Sequence, residues 1–146
     1  MNFQLPDSLT VHPHPIYELA GLEKIAADLA SCLPDFGWVA LHGDLGAGKT
    51  TLVQRLLKKF GVKERVVSPT YSLVEPYTVT ERQYFHIDLY RIEVEQDLGE
   101  LDLPVLVVQG LCLIEWPAVA QKILPKPVAK ITIRHTEEST RWLIIE

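Results

Sequence analysis

The chain of 146 residues has few of the residues on which several protein classes depend. Its two cysteines, Cys32 and Cys112, lie in apolar stretches without paired spacing. We therefore expect buried, inert thiols and no structural zinc site. The one asparagine, Asn2, cannot supply the guanine-reading sequence N-K-x-D, and D-x-x-G is also missing, which argues against a Ras-like GTPase. No apolar run is long enough to span a bilayer.

The composition is that of a globular protein, with 47% apolar and 23% charged residues, and its length fits a single domain over residues 1–146. The first 15 residues have neither a basic segment nor an apolar core of the secretory type, so we expect a cytoplasmic protein. A net charge of −5 argues against a protein that binds nucleic acid over a broad surface. We interpret one basic cluster as solvated surface, with a partner or RNA contact left open: Lys58, Lys59, Lys63 and Arg65.

The spacing of apolar residues in the first half predicts a strand between two helices. Residues 16–33 have one apolar stripe at helical spacing, and residues 37–41, GWVAL, are typical of a short buried strand. A second helical stripe covers residues 52–60 and should end at Gly61. Residues 68–77 are rich in turn-forming residues.

The second half is predicted to consist mainly of strands. In residues 84–90, YFHIDLY, alternation predicts a core face and an opposite polar face; the polar face comprises Tyr84, His86, Asp88 and Tyr90. Residues 92–103 fit a short helix or a surface excursion, and residues 103–108 fit a strand or a helix equally well. The remaining predictions are a strand at 111–115, a helix at 118–124, and a hairpin of strands 128–135 and 141–146.

Residues 43–50, GDLGAGKT, match the phosphate-binding P-loop pattern G-x-x-x-x-G-K-[ST] between the predicted strand and helix. Glycines let the backbone approach an anion closely, and the helix N-terminus adds a favourable dipole. Lys49 would contact the β- and γ-phosphates, Thr50 a Mg²⁺ ion, and Thr51 the α-phosphate. The alternative is a glycine-rich turn that caps a helix. The predicted nucleotide-binding residues of this segment are Gly43, Asp44, Leu45, Gly46, Ala47, Gly48, Lys49, Thr50 and Thr51.

Hydrolysis needs a further acidic group for Mg²⁺ and a group that positions water. Glu115 follows four apolar strand residues, as in a Walker-B strand, and Asp88 is the other candidate. A solvent-facing or salt-bridged carboxylate is the alternative for each. With the GTPase motifs missing, the sequence favours an adenine nucleotide. The alternation of strands and helices predicts an α/β fold, a P-loop NTPase-like three-layer sandwich with a mainly parallel central sheet and a C-terminal antiparallel hairpin.

Four segments in this order and spacing, GDLGAGKTT, SPTYSLVEPY, HIDLYR and LIEWP, resemble the TsaE (YjeE) family of bacterial P-loop ATPases. The resemblance covers most of the chain. It implies a small cytoplasmic ATPase needed to form threonylcarbamoyladenosine next to the anticodon of tRNA. TsaD, with its partner TsaB, transfers the threonylcarbamoyl group, and the ATP cycle of the TsaE protein supports turnover of that complex. Contact with tRNA would be indirect, through the complex, and no membrane is involved.

The resemblance also assigns residues. It implies that Glu115 is the second Mg²⁺ ligand beside Thr50, that Trp116 belongs to the same signature, and that Arg141 lies near the nucleotide. Asp88, with its neighbours in the HIDLYR segment, is implicated in hydrolysis or its coupling to the partner; those neighbours are His86, Tyr90 and Arg91. The loop Ser68, Pro69 and Thr70 resembles a switch that closes over the γ-phosphate.

The predicted function is slow hydrolysis of ATP·Mg²⁺, with Lys49, Asp88 and Glu115 as the catalytic residues. Lys49 would stabilise charge on the transferring phosphoryl group, Glu115 would orient the metal, and Asp88 would position the water or relay the nucleotide state. Two alternatives stay open. A small-molecule kinase would need an acceptor pocket and a lid, and a nucleotide-binding scaffold would bind without turnover.

Overall fold

The computed structural model describes residues 3–16, 18–69, 71–136 and 140–146. Short segments rich in apolar residues form the central strands, and the segments with helical spacing form the helices that cover them. The elements of the N-terminal half are α1 (Asp7–Thr10), β1 (His14–Ile16), α2 (Leu19–Cys32), β2 (Gly37–His42) and α3 (Lys49–Phe60). Those that follow are β3 (Val74–Val79), β4 (Arg82–Asp88), a 3-10 helix (Glu95–Leu98), α4 (Leu103–Gln109), β5 (Leu111–Glu115), α5 (Ala118–Ile123), β6 (Ala129–His135) and β7 (Arg141–Ile145).

The described strands form one sheet in the order β1-β7-β6-β2-β5-β4-β3. The four central strands, β6, β2, β5 and β4, are parallel to one another. Strands β1, β7 and β3 add antiparallel pairs at the two edges. Because β2 lies between β5 and β6, the loop that follows β2 leaves the sheet at the carboxyl ends of its central strands, where open α/β sheets bind ligands.

Two apolar clusters cover the two faces of the sheet. On one face, α2 and α3 pack on β2, β5 and β6, with Leu29, Leu52 and Leu56 fully buried. On the other face, α4 and α5 pack around Trp38 and Ile114. The fold prediction is therefore confirmed: helices lie on both faces of a mainly parallel sheet, and β6 and β7 form the C-terminal antiparallel hairpin.

The helix predicted to begin at Ile16 begins at Leu19 instead, because Ile16 belongs to β1 and pairs with Arg141 of β7. Helix α3 ends as predicted at Gly61, whose φ of 108° suits a residue without a side chain. The ambiguous residues 103–108 form helix α4, with a proline in its first turn. Part of the hairpin turn, residues 137–139, lies outside the described residues.

The turn-rich segment, residues 68–77, contains the start of a strand that the sequence did not predict. Strand β3 begins at Val74 and pairs antiparallel with β4, with Pro76 opposite Phe85. Proline is tolerated there because β3 is the edge strand of the sheet.

The prediction of a polar face on β4 is wrong for two residues. Tyr84 and His86 are 2% and 0% exposed, and Tyr84 stacks on Phe60 of α3 with ring centroids 4.5 Å apart. The physical reason is that helix α3 packs on this face, with Phe60 against Tyr84, while Phe85 and Ile87 are buried on the other face, so the middle of β4 is buried on both faces.

Within the described ranges, no helix is both long and apolar enough to cross a membrane.

Candidate functional site

Three central strands end side by side at the carboxyl edge of the sheet. Glu115, the last residue of β5, pairs with Leu41 of β2 on one side and with Asp88 of β4 on the other. Residues 43–48, which we call the motif loop, run from the end of β2 to the start of α3. The predicted phosphate loop and both predicted carboxylates therefore meet at one place.

The motif loop depends on glycine at defined positions. Gly43, Gly46 and Gly48 have φ angles of 151°, 80° and 113°, which side chains strongly disfavour. A side chain at Gly43 would also lie 2.8 Å from the carbonyl oxygen of Ile133, whereas the space at Gly46 is open. The Ala47 amide donates to the carbonyl of Asp44 at 3.0 Å, which closes the turn. The open space at Gly46 leaves room for an anion to approach the backbone closely.

Lys49 is buried at the start of α3, with 4% of its surface exposed. Its ammonium group donates to the carbonyl oxygens of Gly43 and Asp44, at 2.5 and 2.9 Å, and lies 4.1 Å from the centre of the Trp116 ring. Burial lowers the pKa of Lys49, while the nearby Glu115 carboxylate acts in the opposite direction. The lysine is thus held against the loop by polar and cation–π contacts.

Thr50 and Glu115 form the central contact of the site. The Thr50 hydroxyl lies 2.8 Å from Oε1 and 3.0 Å from Oε2 of Glu115, although 65 residues separate the two in sequence. Glu115 is only 2% exposed, and a buried carboxylate is unfavourable without such partners. The contact presents a hydroxyl and a carboxylate at one point, which is an oxygen donor set of the kind that Mg²⁺ prefers.

The other buried partner of Glu115 is His86, a residue whose contact the sequence analysis missed. Its Nε2 lies 2.6 Å from Oε2 of Glu115, and its side chain is fully buried. The one signal in the sequence was a polar residue inside an otherwise aromatic and aliphatic strand segment, Tyr84-Phe85-His86-Ile87.

Asp88 and Trp116 border the same place. Asp88 is half-buried, accepts a hydrogen bond from the backbone amide of Tyr90 at 3.0 Å, and has a pKa raised mainly by burial. Trp116 has a φ of 54°, unusual for a residue with a side chain, and its ring lies 4.9 Å from that of Tyr90. Strained backbone beside buried charge is typical of functional sites.

Two cavities border the motif loop at different residues. The smaller, of about 200 Å³, is lined by Gly48, Thr51, Arg141 and apolar residues of β1, α2 and β7. The larger is an open cleft of about 620 Å³ whose lining includes His42, Tyr90, Trp116 and Arg134.

The structure places the remaining predicted residues as follows. Arg141 lies across from the loop, and a side chain built at Gly48 would be 3.9 Å from its Cδ and Nε atoms. Leu45 is 74% exposed at the tip of the loop. Ser68 and Arg91 are exposed and Pro69 is buried, while Thr70 lies outside the described residues. Across the part of the chain that is described, no three His, Cys, Asp or Glu side chains cluster as a metal site.

The fold and this site define a class: α/β proteins with a glycine-rich strand–loop–helix unit beside an acidic strand end. The family model described as threonylcarbamoyl adenosine biosynthesis protein TsaE matches residues 16–143. The chain therefore belongs to the TsaE family.

Individual relatives agree with this assignment. The chain is similar to the tRNA threonylcarbamoyladenosine biosynthesis protein TsaE of Bacillus subtilis, with 34% identity over 90% of this chain and 79% of the relative. It is 32% identical to that of Rickettsia felis over 82% of this chain and 70% of the relative. With that of Haemophilus influenzae it shares 38% identity over 69% of this chain and 65% of the relative.

A solved structure supports the fold independently. The crystal structure of YdiB from Bacillus subtilis matches with a TM-score of 0.72 and 25% identity, covering 90% of this chain and 82% of that one.

Proposed function

We propose that this protein binds ATP with Mg²⁺, hydrolyses it slowly, and thereby supports a TsaB–TsaD complex that forms threonylcarbamoyladenosine next to the anticodon of tRNA. The observation that carries the ATPase part is the 2.8 Å contact between Glu115 and Thr50, which is in the first turn of α3 and directly follows the motif loop in sequence. A phosphate-binding sequence explains a glycine-rich loop, but a buried acid held against its threonine is the arrangement that nucleotide hydrolysis needs.

The phosphates would lie along the motif loop and the first turn of α3. Backbone N–H groups around Gly46 and Gly48, together with the helix N-terminus, favour negative charge there. Lys49 already has its ammonium group at the loop, where it would neutralise charge on the β- and γ-phosphates. Burial strengthens this electrostatic effect because little water screens it.

The donor set fits a magnesium ion held by the Thr50 hydroxyl and the Glu115 carboxylate, directly or through water. When bound, Mg²⁺ neutralises negative charge on the phosphate oxygens. Asp88, which neighbours Glu115 in the sheet, would position the attacking water and accept its proton. The raised pKa of Asp88 makes its carboxylate a better proton acceptor than an ordinary aspartate.

The smaller cavity would receive the nucleoside. It begins at Thr51, the residue predicted to contact the α-phosphate, and its walls include the apolar side chains of Ile16, Leu19 and Leu143. Apolar walls with a few polar groups are typical of sites that bind a base. Arg141 at the edge of this cavity would contact the phosphates or the ribose.

The pathway and the partners rest on family membership. The relatives carry tRNA threonylcarbamoyladenosine biosynthesis in their names. TsaB and TsaD are the partners that the resemblance to the TsaE family implies. The exposed rim of the site, with Leu45 and Tyr90 at 74% and 54% exposure, offers apolar contacts near the phosphates to such a partner.

The test is ATP hydrolysis by Lys49→Ala and Glu115→Ala, measured together with nucleotide affinity. We expect each variant to lose at least about 100-fold in rate, the usual cost of removing one group that stabilises charge in a transition state. Lys59→Ala, at the other end of α3, is the matched control and should hydrolyse ATP like the parent. Hydrolysis at parental rates in both site variants would refute the assignment.

A partner experiment tests the coupling. Purified TsaB and TsaD should increase the ATPase rate of the parent, and ATP should increase turnover in tRNA modification. Nucleotide binding without hydrolysis, even with both partners present, would instead identify a scaffold.

A small-molecule kinase is the second candidate, and one observation favours it. The cleft of about 620 Å³ beside Trp116 could hold an acceptor next to the end of the phosphate chain. Release of free phosphate from ATP, with no radiolabel transferred to a panel of metabolites, would exclude this alternative. Transfer of the label to one of them would establish it.

A further inference from the structure

His86 lies deepest among the polar side chains of the candidate site. It belongs to β4, and its side chain has no exposed surface. Its backbone neighbours across the sheet are Glu75 of β3 and Leu113 of β5, so it lies well inside the sheet. A buried imidazole requires a polar partner to offset its loss of hydration.

That partner is Glu115 alone among the described residues. Nε2 of His86 contacts Oε2 of Glu115 at 2.6 Å, while Nδ1 is buried without a hydrogen-bond partner in the described part of the chain. An ionised carboxylate can only accept hydrogen bonds, so the N–H of this pair belongs to Nε2. The ring therefore has one polar contact, and it is directed at the proposed metal ligand.

The geometry around Glu115 shows what this contact does. The Thr50 hydroxyl is shared between Oε1 and Oε2, at 2.8 and 3.0 Å, and by itself leaves the carboxylate group free to turn about its terminal bond. His86 donates a second hydrogen bond, to Oε2 of the carboxylate, from the neighbouring strand β4. Two donors from different elements fix the plane of the carboxylate.

We propose that His86 is a positioning residue, whose Nε2–H group orients the Glu115 carboxylate toward Thr50 and toward the divalent cation. This inference rests on the proposed function, because Glu115 is a metal ligand only if that function is right. Partners that orient metal-binding side chains typically change metal affinity 10- to 100-fold when they are lost. A role in packing alone would not require an imidazole, because an apolar residue fills a buried site without an unpartnered nitrogen.

Two substitutions form a matched pair. In His86→Gln the side-chain nitrogen can take the place of Nε2 and donate to Glu115. In His86→Asn the shorter side chain places its amide near Nδ1, which has no partner among the described residues, and cannot reach Glu115. Both substitutes are neutral and polar, so they differ mainly in whether the contact survives.

The readout is the gain in ADP affinity when Mg²⁺ replaces EDTA, measured by calorimetry, with the free energy of unfolding measured in parallel. Asn should reduce the Mg²⁺-dependent gain about 10-fold or more while leaving ADP affinity in EDTA unchanged. Gln should retain most of the gain. Equal losses in both folded variants, or a full gain in Asn, would overturn the proposal.

The parent and Glu115→Gln separate this inference from the proposed function. If the parent does not bind ADP, or if Glu115→Gln keeps the full Mg²⁺-dependent gain, the proposed metal site fails and His86 has no such role. If both behave as proposed and Asn at position 86 keeps the gain, only the His86 inference fails.

One measurement needs no folded variant at position 86. In the unaltered protein labelled with ¹⁵N-histidine, the Nε2 proton of His86 should exchange slowly with water, because it is buried and hydrogen-bonded to a carboxylate. Assignment rests on the loss or shift of this signal in Glu115→Ala. A spectrum of the folded parent without any slowly exchanging ring N–H proton would overturn the proposal.

Discussion

The two ends of the central parallel strands differ in the contacts that hold them together. At the carboxyl end, buried polar side chains hold one another in place, and Trp116 has a left-handed backbone. At the amino end, the backbones of two neighbouring strand segments pack closely. A Cβ atom added to Gly110 would lie 2.2 Å from the carbonyl oxygen of Gln83. The comparison indicates that the amino end maintains the fold, whereas the carboxyl end carries polar groups that packing alone does not explain.

The largest effect on stability should come from the amino end. Gly110→Ala forces a methyl group onto the backbone of Gln83, and overpacking of this kind costs about 1–3 kcal/mol of unfolding free energy. Nucleotide affinity per folded molecule should not change. Chemical denaturation checks the first expectation and calorimetry the second.

Gly21→Ala is the control for this prediction. Its added methyl group would lie at an ordinary distance of 3.6 Å from Ile16, and Gly21 is in the first turn of helix α2, where alanine is at least as favourable as glycine. Stability should therefore stay the same or rise by up to about 0.5 kcal/mol. A Gly110→Ala protein as stable as the parent would contradict the assignment of the amino end to stability.

A smaller effect is expected from Trp116 at the carboxyl end. Trp116→Leu removes the ring that lies 4.1 Å from the Lys49 ammonium, a contact of about 0.5–2 kcal/mol that corresponds to about 2- to 30-fold in hydrolysis rate. Trp116→Phe keeps a ring and should lose less. The check is ATP turnover, with Trp142→Leu on β7 as the control. If Trp116→Leu and Trp116→Phe lower the hydrolysis rate by the same factor, the aromatic ring does not position Lys49.

The smallest effect concerns Asp88 and pH. Burial raises the pKa of Asp88 above its ordinary value of 3.8, so the folded state disfavours the ionised form. This group therefore lowers stability as pH rises through its folded pKa, and the cost vanishes below 3.8. Asp88→Asn should give a small increase in unfolding free energy at neutral pH, because the amide oxygen can still accept from Tyr90.

Denaturation of the parent and Asp88→Asn across this pH range provides the check. The gain in unfolding free energy of Asp88→Asn over the parent should become smaller as pH falls. An advantage that grows toward acid pH would show that burial does not dominate at this carboxylate.

The sequence predicted the elements whose signals are local. Strand β5 has the predicted bounds, and the hairpin of β6 and β7 and the glycine that ends α3 were also predicted. Strand β3 was missed because proline and turn residues dominate its composition, and only its pairing with β4 makes it a strand.

The site was predictable to the same extent. The motif and the apolar run before Glu115 identified two of its parts. The contact of His86 with Glu115 could not be found, because alternation along β4 shows which residues share a face but not whether α3 covers that face. The two contacts of Glu115 join residues far apart in sequence: His86 is 29 positions away and Thr50 is 65 positions away. Such contacts arise from the order of the strands in the sheet, which local sequence patterns do not contain.

The central claim is that Thr50 and Glu115 act as one unit in ATP hydrolysis, and a double-mutant cycle on the hydrolysis rate tests it most directly. The four proteins are the parent, Thr50→Val, Glu115→Gln and the double variant. We predict that each single substitution lowers the rate on the order of 100-fold and that the double variant is no slower than the worse single one. Losses that multiply in the double variant would show that the two residues act independently and would contradict the account.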